Sequence, residues 1–87
     1  MEVKILTDSA NELQATVDNL TIVELLRVYL NRDDSVVLAA WRREHPTKPP
    51  ILLVKTKGKS PRKALADSVK AIEKDLDKLE SDFKKLK

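Results

Sequence analysis

Four sets of side chains in this 87-residue sequence are of types that chemistry uses, and their spacing decides whether they can. Asp33-Asp34 is an acidic pair, but adjacent residues diverge in direction and the pair follows the end of a helical pattern. It reads as a solvated turn. Asp75 and Asp77 lie two apart in a helical run, so they do not share a face and cannot work as paired acid and base. His45 stands between Glu44 and Pro46. No second histidine and no cysteine exists to complete a metal ligand set or a nucleophile–base pair. The fourth set is basic. Lys57, Lys59, Arg62 and Lys63 run from a strand end into a helix N-terminus, where backbone N–H groups favour phosphate. This is the one candidate for contact with a nucleic acid. No aromatic residue is interleaved to stack on bases, and lysines alternating at a strand end are an ordinary guard against edge pairing. Direct nucleic-acid contact is therefore the lesser reading, and no catalytic, cofactor or metal site is expected.

Composition agrees with that absence. One glycine leaves nothing for a Gly-rich phosphate loop, and the lack of cysteine removes any need for an oxidising compartment. A chain this short buries only somewhat more than ~60% of its unfolded surface, which leaves little room for a deep active-site cleft. Apolar residues make up 41% of it, and Trp41, Tyr29 and Phe83 are its only aromatics, so Leu, Val and Ile must build the core. The net charge of +3 is unevenly spread. Residues 1–54 hold six basic and eight acidic side chains, residues 55–87 eleven and six. The basic half is read as the wet side of one long helix. No run approaches the ~18 apolar residues of a membrane span. The segment MEVKILTDSA lacks the apolar core of a secretory signal, so a cytoplasmic protein is expected.

The elements that would position these groups follow from periodicity. Val3 and Ile5 alternate with Glu2 and Lys4, and Leu13, Ala15 and Val17 alternate with Glu12, Gln14 and Thr16, the pattern of two half-wet strands. Thr7 to Asn11 has turn chemistry between them. Thr21, with Glu24 three residues on, has capping-box spacing and predicts a helix from there to about Asn31. Ser35–Arg43 and 51–56 read as two further strands, apolar on both faces and so expected to be covered on both. His45 to Pro50 is a proline-rich connection. Ser60-Pro61 then opens a helix with an N-cap serine and proline at N1. The expected fold is α+β, a two-layer arrangement of a mainly antiparallel four-stranded sheet with a short and a long C-terminal helix, in the order β-β-α-β-β-α. A single domain over residues 1–87 is expected.

Two apolar surfaces exceed what such a fold can cover. In the short helix Ile22, Leu25, Leu26 and Tyr29 belong to a broad stripe that leaves only a narrow polar edge. In the long helix Leu65, Val69, Ile72, Leu76, Leu79, Phe83 and Leu86 recur at alternating steps of four and three. Some 27 residues span ~40 Å, against a diameter of roughly 30 Å for a compact chain of this length. Helix 60–87 should therefore overhang the sheet. The early seam residues, through Ile72, are expected to pack on the sheet. Ile22, Leu25, Leu26, Tyr29, Leu76, Leu79, Phe83 and Leu86 are the candidate partner interface.

Taken with its residues, this order of elements resembles the archaeal RNA polymerase subunit L family, small subunits similar to the dimerisation domain of the bacterial alpha subunit. The resemblance covers nearly the whole chain. It rests on Leu25-Leu26-Arg27-Val28-Tyr29-Leu30-Asn31 with Asp34-Ser35-Val36, on Ala39-Ala40-Trp41-Arg42 and His45-Pro46, and on Leu53-Val54-Lys55-Thr56-Lys57-Gly58 with Ser60-Pro61 and Ala64-Leu65. The family's helix-start signature, a His-Thr-Leu-Gly-Asn-Leu-like run, aligns with Leu20-Thr21-Ile22-Val23-Glu24-Leu25. Thr21 and Leu25 match, while Leu20, Val23 and Glu24 stand at the histidine, glycine and asparagine positions. A glycine there admits a close backbone neighbour, whereas Val23 fills the space. The resemblance implies a non-catalytic component of a DNA-directed RNA polymerase, a heterodimer with the larger D-type polymerase subunit that gives the large polymerase subunits a platform. The altered signature raises the alternative of a diverged paralogue that forms a homodimer.

Overall fold

The computed structural model describes residues 3–86, so Glu2 of the first strand pattern and Lys87 at the helix end lie outside it. The chain runs β1 (Val3–Asp8), β2 (Glu12–Val17), α1 (Leu20–Leu30), β3 (Val36–Arg42), β4 (Ile51–Thr56) and α2 (Pro61–Lys85). The four strands form one sheet in the order β1-β2-β4-β3, every neighbouring pair antiparallel. This is the expected α+β fold. β1 continues through Asp8 past a bulge between Ile5 and Thr7. The first turn is thus only Ser9 to Asn11, closed by Ser9 N–H donating to the Glu12 carbonyl at 2.8 Å.

Period-two alternation sets the buried face. Leu13, Ala15 and Val17 of β2 and Leu52 and Val54 of β4 point to the side that both helices cover, and all are essentially buried. Val23, Leu26 and Leu30 of α1, Ala39 of β3 and Ala64 of α2 complete the cluster. Each large side chain buried here contributes about 1.5–3 kcal/mol. Trp41 packs against its edge, half-buried, and donates from Nε1 to Glu24 Oε2 at 2.5 Å.

Two expectations need correction. The α1 N-cap is Asn19, not Thr21: extended backbone at Asn19 lets its Oδ1 accept the Ile22 N–H at 3.0 Å. Asn is as strong a cap as the alternatives, and the helix gains two residues by starting there. Glu24 is thereby released from any box, and its carboxylate takes Arg27 and Trp41 instead, which hold it near a pKa of about 2. Double cover of the third and fourth strands is also absent, because both helices lie on the same face. β3 is an edge strand with Val37 68% exposed, whereas β4 lies in the middle of the sheet. The Cα radius of gyration is 14.3 Å and the longest extent 46 Å, against the ~12 Å radius of a compact chain of this length.

The root of α2 is pinned from several sides. The Ser60 side chain caps it by accepting the Lys63 N–H at 3.2 Å, and Thr56 donates from its hydroxyl to the Lys59 carbonyl. The Lys59 ammonium bridges Asp33, after α1, at 2.7 Å and Asp67, on α2, at 2.6 Å. Arg62 reaches Asp8 at the end of β1 at 2.5 Å. Lys59, with Ser35 assisting, lowers the Asp33 pKa from 3.8 to about 2, and Lys59 lowers Asp67 as well. A carboxyl depressed in the folded state contributes stability that is complete above its unfolded pKa and is lost as pH falls through its folded pKa. The thermal midpoint should therefore drop from about pH 4 down to pH 2, with Glu24 titrating in the same direction. Lys59→Met should lower the midpoint at neutral pH and flatten the acid drop. Circular-dichroism melts across that range check this, and an unchanged acid slope in Lys59→Met would refute the pin.

Candidate partner interface

The two helices divide their residues between core and surface by simple periodicity. On α1, Val23, Leu26 and Leu30 are three and four apart and enter the core, while Ile22, Leu25 and Tyr29 sit half-buried beside them. On α2, Pro61, Ala64 and Ser68 face the sheet. Leu65 and Ile72 are half-buried, and from Glu73 onward every described residue is exposed. Leu76, Leu79, Phe83 and Leu86 are 52–80% exposed. An apolar stripe thus leaves the sheet and continues along the helix.

Where the helices meet the sheet, the stripe opens into a cleft. A cavity of about 240 Å³ lies between α1, α2 and the first two strands, lined by Val3, Val17, Ile22, Leu25, Leu65 and Ile72, with Glu73 as its one charged neighbour. A shallower depression lies between α2 and β1, among Ile5, Leu13 and Val69, with Arg62, Lys70 and Glu73 around it. Neither helix packs across β1, so Val3 and Ile5 remain 49% and 40% exposed. Cleft, strand edge and helix stripe form one connected apolar surface. Large exposed apolar surface bordered by polar groups marks a place where another molecule binds.

The residues singled out in sequence fall into three situations. Ile22 and Leu25 line the cleft, and Leu76, Leu79, Phe83 and Leu86 form the stripe beyond it. Leu26 is only 7% exposed and forms the cleft floor. Tyr29 faces α2, where its hydroxyl donates to Asp75 Oδ2 at 2.6 Å and the Arg32 guanidinium stacks 4.5 Å from its ring centroid. The hydrogen bond to Asp75, then partial burial, raises the phenol pKa above its usual 10. Tyr29 therefore ties the helices together. Sequence reasoning missed Val3, Ile5 and the exposure of Val69, which it placed against the sheet. Two helices can cover only part of a four-stranded sheet, and that alone could have identified an uncovered edge strand. Of the basic stretch, Lys59 and Arg62 are committed to the ion pairs at the α2 root, while Lys57 and Lys63 are exposed. Among the described residues no group of three His, Asp or Glu side chains could hold a metal ion, and no helix is long and apolar enough to cross a membrane.

The altered helix-start signature has an internal explanation. Val23 is fully buried among Val17, Leu52 and Leu30, so its side chain fills this chain's own core and does not face the cleft. Glu24 bonds Trp41 and Arg27, tying α1 to β3.

Comparison with known proteins comes to the same fold. The family model described as the RNA polymerase Rpb3/Rpb11 dimerisation domain matches residues 10–82. Among solved structures, the chain is similar to DNA-directed RNA polymerase subunit L from Thermoplasma acidophilum, with a TM-score of 0.85 at 22% identity, over 97% of this chain and 86% of that one. No curated protein matches. Restoring the signature glycine should harm this chain. Val23→Gly removes a fully buried side chain and adds a helical glycine, a loss of about 2–4 kcal/mol. Urea unfolding measures it, and a Val23→Gly chain as stable as the parent would remove Val23 from the core.

Proposed function

The chain belongs to the RNA polymerase Rpb3/Rpb11 dimerisation-domain family, and on that premise we propose that it is a non-catalytic assembly subunit of an archaeal-type DNA-directed RNA polymerase. It pairs with the larger D-type polymerase subunit in the cytoplasm, and the heterodimer gives the two large subunits a platform. The observation that carries this reading is the connected apolar surface from the β1 edge through the cleft to Phe83 and Leu86. A partner of the same architecture would fill the cleft with its own helices and cover the α2 stripe. Obligate interfaces of this kind bury more than ~2,000 Å² in total, and the stability of each partner then depends on the other's concentration. The likeness to a solved subunit L supports the same reading at the level of fold. The chain contributes shape and apolar surface to the polymerase and supplies no catalytic group.

Leu79 and Phe83 test this cleanly, because both are exposed and a charge there does not disturb the core. Leu79→Asp and Phe83→Asp, co-expressed with a tagged archaeal D-type polymerase subunit, should each reduce recovery of the pair at least tenfold, since an unpaired charge buried at an interface costs several kcal/mol. Helicity of the isolated variants by circular dichroism should match the parent. Normal co-purification of both variants would overturn the interface. Failure of the parent chain itself to pair with the D-type protein would overturn the partner.

A further inference from the structure

From Glu73 to Asp82 the apolar stripe of α2 has a charged border of one sign. At ~100° per residue, Glu73 and Glu80 fall along one side of the seam, and Asp75 and Asp82 along the other. Lys70, Lys74, Lys78, Lys84 and Lys85 all fall on the far side of the helix, in the company of Asp67 and Asp77. Such segregation is more than amphipathicity requires, because a helix needs only some polar residues on its wet face. In paired helices the positions beside an apolar seam are the ones that meet the partner and set its identity.

We propose that this acidic border selects a partner whose apolar helix is bordered by Lys and Arg, and disfavours a second copy of this chain. The inference rests on the heterodimer reading above and deepens it. In a two-fold homodimer the same patch meets itself. Two seams edged by Glu73, Glu80 and Asp82 would then bring carboxylates together in a partly desolvated interface, where like charges are costly. Cations of the same chain are poorly placed to relieve this. Arg27 is held by Glu24, Arg62 by Asp8, and Arg32 lies over the Tyr29 ring. Lys84 reaches Glu80 at 3.4 Å from the far side and offsets one acid in part. Lys70 stands beside the β1 depression, on the other side of Glu73 from the seam. Asp75 already accepts from Tyr29, so Glu73, Glu80 and Asp82 carry most of the selectivity.

The test uses the full chain and two synthetic helical peptides with one leucine seam, bordered in one by lysine and in the other by glutamate. Fluorescence anisotropy at low and high salt gives the affinities, and light scattering gives the oligomeric state of the chain alone. The parent should bind the lysine-bordered helix about tenfold more tightly than the other, a few exposed pairs acting together, and the preference should shrink at high salt. The triple variant Glu73→Gln, Glu80→Gln, Asp82→Asn should lose the preference while still binding both peptides. Equal affinities in the parent, or a preference that survives in the triple variant, would overturn the charge selection and leave the docking face standing. Binding of neither peptide would overturn the docking face and this inference with it. A stable parent homodimer, lost in Phe83→Asp, would show that the border does not exclude self-pairing.

Discussion

Everything distinctive about this molecule depends on how α2 is anchored at one end only. Its first turns are capped by Ser60, bridged through Lys59 to Asp33 and Asp67, tied through Arg62 to Asp8, and packed at Ala64 and Ser68 on the sheet. Among the described residues, the Tyr29–Asp75 hydrogen bond is the last tie between the helix and the rest of the fold. Beyond it regular helix projects as far as Lys85 with its apolar side bare. A rigid root and an unsupported end convert a short sequence into a long lever. Helical propensity alone is weak support for such an end, because most helical stability in proteins comes from tertiary packing of one face.

The same economy explains the cleft. Two helices on one face of four strands leave β1 uncovered, and the space between α1, α2 and β1 is too apolar to be a satisfactory water-filled surface. A larger domain would close it with another element of its own. Here the family to which the chain belongs is defined by dimerisation, and the cleft, the strand edge and the helix stripe are one surface. In the proposed pairing, the acids beside the stripe add direction to otherwise undiscriminating apolar contact. On the reading proposed above, partner dependence follows from helix length and partner identity from what borders the seam.

Much of this was legible in the residues themselves. Alternation located the first two strands and short apolar runs the other two, Ser60-Pro61 marked the helix start, and the 4-3 recurrence from Leu65 to Leu86 marked a seam longer than the sheet. What stayed hidden was whatever depends on distant residues meeting. Asn19 and Thr21 are both good caps, and only the exit path of β2 decides between them. Val23 replaces the small residue of the family signature, and sequence alone cannot say that the added methyl groups enter this chain's own core. Lys59 reads as one basic residue in a run until the loop after α1 brings Asp33 to it. The apolar third strand looked doubly buried because composition records hydrophobicity and not the number of helices available to cover it. Its outward residues, Val37 and Leu38, stay open.

The central claim is that the far half of α2 is completed by another polypeptide, and hydrogen exchange measures this residue by residue. In the free chain, amides of α2 before Ile72 should be protected and those from Leu76 to Lys85 should exchange quickly, for want of packing. In the complex with the D-type polymerase subunit the same amides should become as protected as the root. Strong protection of that segment in the free chain, or no gain in the complex, would contradict the account.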